Sequence, residues 1–168
     1  MSVNLTKNGF VSPTIGSVTI GKMVKEISDF VEKEPQGTYR LVIGSDSQTK
    51  TNNGQNELDL VTAIVVHRSG SGARYFWKKE KIFKKPVLRE KIYAETLKSL
   101  EIAGELVPVL RTAMNHSNYD LEIHIDVGQK GKTREMIKEV VGMVTGNGYI
   151  ARTKPDSWAA SSVADRHT

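Results

Sequence analysis

The chain contains no cysteine and no long apolar run. Each of these absences excludes some classes of protein. Without cysteine there is neither a disulfide nor a thiolate metal site, so packing must supply the stability. No apolar run approaches the roughly 20 residues of a membrane-spanning helix, and no signal-peptide pattern is visible. We therefore expect a cytoplasmic protein without a membrane partner. Its 168 residues suffice for one domain with a full core.

Basic residues outnumber acidic ones, and the formal net charge is +5. Such an excess favours a polyanionic partner, and nucleic acid is the first candidate. For each basic cluster the alternative is a solvated surface without a partner. A dense lysine run at 78–85 lies beside aromatic residues, and a second small cluster follows residue 128. Lysines in these positions can follow a nucleic-acid backbone. The predicted nucleic-acid contacts are Lys78, Lys79, Lys130, Lys132 and Arg134.

The hydrophobic pattern begins without a clear period over residues 1–18, which predicts a loosely structured lead-in. Helical spacing then predicts an amphipathic helix at 20–34, which Thr19 can cap. Three strand-like runs follow at 39–45, 58–67 and 73–82. Their short, glycine-bearing connections indicate an antiparallel meander.

The rest of the chain alternates helices and strands. The pattern predicts a helix at 86–114, a strand at 119–127, a helix at 131–144, a strand at 149–153 and a final helix opened by Pro155 and Asp156. Right-handed crossovers make the two later strands parallel to the first one. We therefore expect an α/β fold with a five-stranded mixed sheet and helices on both faces. This domain, at 37–168, would follow an N-terminal extension with the amphipathic helix at 1–36.

Acidic side chains follow two strands that are expected to be parallel. Asp46 follows an apolar run, Gly44 and Ser45, and Asp126 lies near the end of the 119–127 strand. The carboxyl ends of parallel strands share one sheet edge, and carboxylates placed together there repel each other unless a cation neutralises them. Among the acids of the long helix, Glu95 is the one that helical spacing places toward the sheet. Each acid alone could also be a turn cap or a residue at the border of a helix face.

The final helix offers two further acids, Asp156 and Asp165. Nine residues separate them, about 13.5 Å along a helix axis, so only one can join the others. We prefer Asp156 because it begins that helix at the same edge, although an aspartate there is also an ordinary N-cap. Four carboxylates at one edge would bind Mg²⁺ or Mn²⁺, and two such ions about 4 Å apart support phosphodiester cleavage.

The element order, together with these acids, resembles the ribonuclease H superfamily over about residues 39–168. Ala94-Glu95 followed by Leu100 looks like the glutamate-bearing helix of type 1 enzymes, and residues 156–164 are similar to the aspartate and Ala-Ala-Ser helix of type 2 enzymes. A likeness over most of the chain is to the YkuK-like family of predicted ribonuclease-H-like proteins. The matching segments are 43–48 (Ile-Gly-Ser-Asp-Ser-Gln), 124–128 (His-Ile-Asp-Val-Gly) and 154–161 (Lys-Pro-Asp-Ser-Trp-Ala-Ala-Ser).

The resemblance implies a two-metal nuclease acting on RNA, DNA or a hybrid of the two. Asp46 and Asp126 would hold the ions and Glu95 would hold one ion and its water. Asp156 would complete the second ion's shell, with Asp165 as the alternative because Ala164-Asp165 looks like the terminal Ala-Asp of type 1 enzymes. The Asp-Gly-Ser of type 1 and the Asp-Glu-x-Gly-Arg of type 2 are both absent after the first strand. A non-catalytic nucleic-acid-binding module on the same fold is the rival expectation.

Overall fold

The computed structural model describes residues 8–82, 87–114, 119–131, 133–157, 162–163 and 166. Over these ranges the chain forms a mixed seven-stranded sheet and three α-helices, with the strand order β2-β1-β5-β4-β3-β6-β7. The strands are β1 (Asn8–Ser12), β2 (Gly16–Thr19), β3 (Tyr39–Asn52), β4 (Gln55–Arg68), β5 (Ala73–Ile82), β6 (Tyr119–His124) and β7 (Ile150–Arg152). The helices are α1 (Ile20–Glu32), α2 (Leu88–Ala113) and α3 (Ile137–Gly146), and a 3₁₀ turn at Arg134–Met136 precedes α3.

The sheet has seven strands, so the predicted five-stranded sheet is wrong. The described part of the lead-in forms an antiparallel hairpin, β1–β2, and β1 pairs with β5 through Val11 and Trp77. These strands have only five and four residues, the turn between them contains Pro13, and Gly16, the first residue of β2, is left-handed (φ +77°). Strands this short contain too few alternations for a period of two to stand out.

The meander and its parallel neighbours are confirmed. β3, β4 and β5 pair antiparallel, whereas β6 and β7 run parallel to β3. Asn53 (φ +49°) and Gly54 (φ +77°) make the tight turn between β3 and β4, the combination that two-residue hairpins favour. The β3–β4 hairpin is longer than predicted, because its apolar pattern ends near Ser45 while the backbone pairing continues to Asn52.

All three α-helices pack on one face of the sheet. Their apolar residues share one core with Leu41, Ile43, Ile64 and Ile123 of the central strands. On the opposite face, Val42, Ala63 and Val65 contact Val163, which belongs to a helical stretch described at residues 162–163 and 166. None of the described helices combines the length and apolar character needed to cross a bilayer.

Helix α1 follows the predicted amphipathic pattern. Its backbone is capped by Thr19, whose Oγ1 accepts from the Lys22 N–H at 3.1 Å, and the residues facing the sheet are buried: Ile20, Met23, Val24, Ile27, Phe30 and Val31. The C-terminal end of α1 is fixed by Tyr39 and Arg68. The Tyr39 hydroxyl donates to the Glu34 carbonyl at 2.6 Å and accepts from Arg68 Nε at 3.1 Å.

We predict that Tyr39→Phe destabilises the fold by about 1–3 kcal/mol, because it leaves buried polar partners around the lost hydroxyl unsatisfied. The measurement is the free energy of unfolding from urea titration. Tyr119→Phe is the control, since the Tyr119 hydroxyl has no hydrogen-bond partner among the described residues. Equal changes for the two variants would contradict the role given to Tyr39.

Candidate functional site

Asp46 and Asp126 occupy equivalent positions on neighbouring parallel strands. The last pair between β3 and β6 joins Gly44 to His124, and each aspartate follows two residues later. Because side chains alternate along extended chain, and Ile125 and Val127 are buried in the core, both carboxylates are on the same face of the sheet. This extended geometry continues beyond β6, since the Ile125 N–H donates to the Arg152 carbonyl at 2.9 Å.

The sheet edge at Asp46 does not form in the way that the sequence predicts. Asp46 is not at a strand end, because β3 continues to Asn52 and stays paired with β4. The edge exists because β6 stops pairing at His124 while β3 continues. Asp46 therefore lies where the sheet narrows.

Glu95 faces the sheet, as its helical spacing predicts, and only 4% of the residue is exposed. Its Oε1 accepts two hydrogen bonds from Ser47, from the backbone N–H at 3.0 Å and from Oγ at 2.5 Å. One helical turn later, Ser99 Oγ lies 2.8 Å from Ser45 Oγ. These short polar side chains hold α2 close against β3 and fix the height of Glu95.

The bond from the Ser47 N–H explains why a carboxylate is buried here. β4 lies on one side of β3, but this N–H binds Glu95 and not β4. It therefore points to the other side of β3, where β6 no longer pairs with it. Glu95 supplies the acceptor that another residue of β6 would otherwise provide. An unpaired buried N–H is costly, so the contact stabilises the strand where the sheet narrows.

The three carboxylates influence one another electrostatically. Burial is the largest cause that raises the pKa of Glu95 to about 8, and the negative charges of Asp46 and Asp126 raise it further. The Ser47 hydrogen bond and the charge of Lys91 lower the same pKa without cancelling the rise. Asp46 and Asp126 are therefore both close enough for their charges to act on Glu95.

Lys154 completes this group, although the sequence reasoning did not select it. Its Nζ lies 2.8 Å from Asp126 Oδ1. The pKa of Lys154 is raised, first by this hydrogen bond and by the charge of Asp126, and further by Asp46 and Glu95. A period-two reading of the last strand could have placed it, because Lys154 is two residues beyond Arg152, the partner of His124.

The donor chemistry of the three acids fits a divalent cation. Carboxylate oxygens are the ligands that Mg²⁺ and Mn²⁺ prefer, and a cation would relieve the repulsion that Asp46 and Asp126 add to the effect of burial on the pKa of Glu95. In the described ranges, however, no three His, Cys, Asp or Glu side chains are gathered so that they could hold an ion as they stand. The cation in contact with Asp126 in this structure is the ammonium of Lys154.

The predicted fourth acid lies in a turn. The helix predicted to open at Pro155 and Asp156 does not begin there, because the Asp156 N–H donates to the Thr153 carbonyl at 2.7 Å and residues 154–156 form a turn and bend. The side chain of Asp156 is exposed. The expectation that Asp156 caps a helix at the site edge is therefore wrong, since the chain turns before it becomes helical. The alternative, Asp165, lies outside the described residues.

The predicted basic contacts are divided between the two faces of the sheet. Lys79 lies on the face of Asp46, because both are paired opposite Val61. Its neighbour Lys78 faces the helices, where it pairs with Glu80 at 3.1 Å and only 16% of its side chain is exposed. Lys130 and Arg134 are exposed after β6, and Lys132 lies outside the described residues.

A buried ion cluster lies beside Asp46 and Asp126, on the face of the sheet away from the three helices. Glu122 accepts from Arg40 Nε at 2.6 Å and Nη2 at 2.8 Å, and from Arg152 Nε at 3.0 Å. The Arg40 hydrogen bond is the main cause that lowers the pKa of Glu122 to about 2. Burial lowers the pKa of His124, whose Nε2 lies 3.4 Å from Glu122. The cluster ties β6 to β3 and β7, and so positions Asp126.

The buried Glu95 predicts an unusual dependence of stability on pH. The folded chain keeps the Glu95 proton up to about pH 8, whereas the unfolded chain releases it near pH 4.5. The folded state therefore binds more protons between these values, and stability falls as pH rises through this window, by up to about 4 kcal/mol. Glu95→Gln, which does not titrate, is expected to remove this fall.

The measurement is the free energy of unfolding in urea with EDTA, at about pH 5 and about pH 9. Glu101→Gln, at an exposed acid on the same helix, is the control. If the wild type and Glu95→Gln lose stability equally between the two pH values, the buried, protonated Glu95 is contradicted.

Comparisons with known proteins agree with this architecture. The family model described as Ribonuclease H-like matches residues 22–168. The chain is 32% identical over 170 residues to the uncharacterized protein YkuK of Bacillus subtilis (strain 168), covering 95% of this chain and 96% of that protein. No solved structure matches the chain.

Proposed function

The chain belongs to the ribonuclease H-like, YkuK-like family, and on this premise we propose that it is a Mg²⁺- or Mn²⁺-dependent nuclease. Its reaction is the hydrolysis of phosphodiester bonds in RNA, DNA or a hybrid of the two. The observation that carries the proposal is the matched register of Asp46 and Asp126, each two residues past the last pair of β3 with β6, with the charges of both acting on Glu95.

Asp46, Asp126 and Glu95 are the proposed ligands of two ions. Glu95 Oε1 is engaged by both donors of Ser47, so its Oε2 is the oxygen left for an ion. Asp46 and Asp126 would hold the two ions, and Asp156 or Asp165 would complete the shell of the second. Bound Mg²⁺ or Mn²⁺ supplies an activated water and neutralises charge on the phosphate that is attacked.

The chain's own residues hold this arrangement in place. Ser47 orients Glu95, and the Glu122 cluster fixes the strand that leads to Asp126. These contacts limit the movement of Glu95 and of the strand that leads to Asp126, which favours catalysis.

The proposed substrate follows from charge. The net charge of +5 attracts a polyanion, and Lys79 lies on the face of the two aspartates. Lys130 and Arg134 are exposed on the segment that follows β6, where they can contact the phosphates on either side of the cleaved bond. Lys78 is assigned no contact in this proposal, because it faces the helices and pairs with Glu80.

One observation favours a second candidate, a nucleic-acid-binding module without catalysis. Asp126 already has a cation partner in Lys154, and among the described residues no three donors are gathered for a metal. On this reading the acids fix the fold and the basic residues bind the strand. The two candidates differ in whether divalent ions bind at Asp46 and Asp126.

We predict that Asp46→Asn and Asp126→Asn each reduce Mn²⁺-dependent cleavage at least about 100-fold. Each substitution removes a carboxylate that would hold the ions, and the ions would stabilise the charge that develops in the transition state by several kcal/mol. The assay uses labelled RNA, DNA and hybrid substrates with Mg²⁺ or Mn²⁺, and calorimetry measures Mn²⁺ binding by the same variants. Asp120→Asn, an exposed acid on β6, is the control and should behave as wild type.

Unchanged heats of Mn²⁺ binding in both aspartate variants would refute the metal site. Nucleic-acid binding without cleavage of any substrate, with either ion, would favour the non-catalytic module.

A further inference from the structure

Lys154 is held at the level of Asp126 by the backbone. Arg152 pairs with His124, and the Lys154 N–H donates to the Val127 carbonyl at 2.8 Å, which carries the pairing past the end of β7. Its side chain lies over Gly128, where an added Cβ would be 3.4 Å from Lys154 Cβ. The ammonium therefore reaches Asp126 from a fixed backbone position.

The Lys154 ammonium contacts one carboxylate of the candidate site and lies within reach of the charges of two others. Nζ is 2.8 Å from Asp126 Oδ1, and the charges of Asp46 and Glu95 also act on it. An oxygen that accepts a hydrogen bond from an ammonium is less available to a metal ion, and the two positive charges repel each other at such distances. Lys154 and a divalent ion thus compete for Asp126.

The ion pair between Lys154 and Asp126 is also exposed enough to separate. Lys154 has 59% of its side chain exposed and Asp126 has 37%. A lysine ammonium on a flexible four-carbon stem can leave a partly exposed carboxylate at little cost, unlike the arginines that enclose the buried Glu122. Lys154 can therefore occupy the position without blocking it permanently.

We propose that Lys154 is a built-in monovalent cation that takes one of the two ion positions, so that the substrate-free protein binds a single divalent ion well. This inference rests on the proposed function, since it concerns the same acids. It assigns to Lys154 a positioning role: it controls how many ions the site holds before substrate arrives.

The test is calorimetric titration with Mn²⁺ alone, which does not depend on activity. Wild type is expected to bind about one Mn²⁺ per chain, and Lys154→Met about two, or one at least about tenfold more tightly, because a competing charge is gone. Lys154→Arg keeps the charge and should resemble wild type. Lys138→Met removes an equal charge from the exposed side of α3 and should also resemble wild type.

The outcomes separate this inference from the proposed function. Equal stoichiometry and affinity in wild type and Lys154→Met would overturn the role of Lys154 and leave the metal site standing. The same gain in Lys138→Met would overturn it too, since the effect would then be one of net charge. No Mn²⁺ binding in wild type or in Lys154→Met would overturn both. Urea unfolding of each variant confirms that the compared chains are folded.

Discussion

The register between β3 and β6 is the constraint on which the site depends. Gly44 is paired with His124, and so the aspartates two residues later lie level on one face. A slip of one residue would turn Asp126 to the opposite face. Glu122 opposes such a slip, because it binds Arg40 on β3 and Arg152 on β7 at once. A buried ion cluster is uncertain as a source of stability, but it is well suited to specifying one register.

Local periodicity and chain handedness made a large part of the fold predictable. The six buried positions of α1 follow directly from helical spacing, and the same spacing turns Glu95 alone of the α2 acids toward the sheet. The parallel direction of β6 and β7 follows from right-handed crossovers. These inferences work because each depends on a pattern within one element or on a rule of connection.

Features that depend on distant partners were not predictable in this way. The β1–β2 hairpin is too short to show a period, and β3 continues past Ser45 only because β4 pairs with it. Lys78 and Lys79 look alike in the sequence, but alternation places them on opposite faces. Asp156 follows a proline, which suggested a helix start, whereas the backbone turns through Thr153 first. Lys154 becomes notable only when β7 is seen to carry it beside Asp126.

The strand order also bears on how this sheet meets other chains. The outermost strands, β2 and β7, have only four and three residues, so they offer little backbone for another strand to join. A longer stretch without a neighbour among the described residues is the side of β3 beyond Gly44. There Glu95 occupies the Ser47 N–H and the charged Lys50 follows, and both features discourage edge-to-edge pairing. The edge beside the partly exposed Asp46 and Asp126 thus also discourages pairing with a strand of another chain.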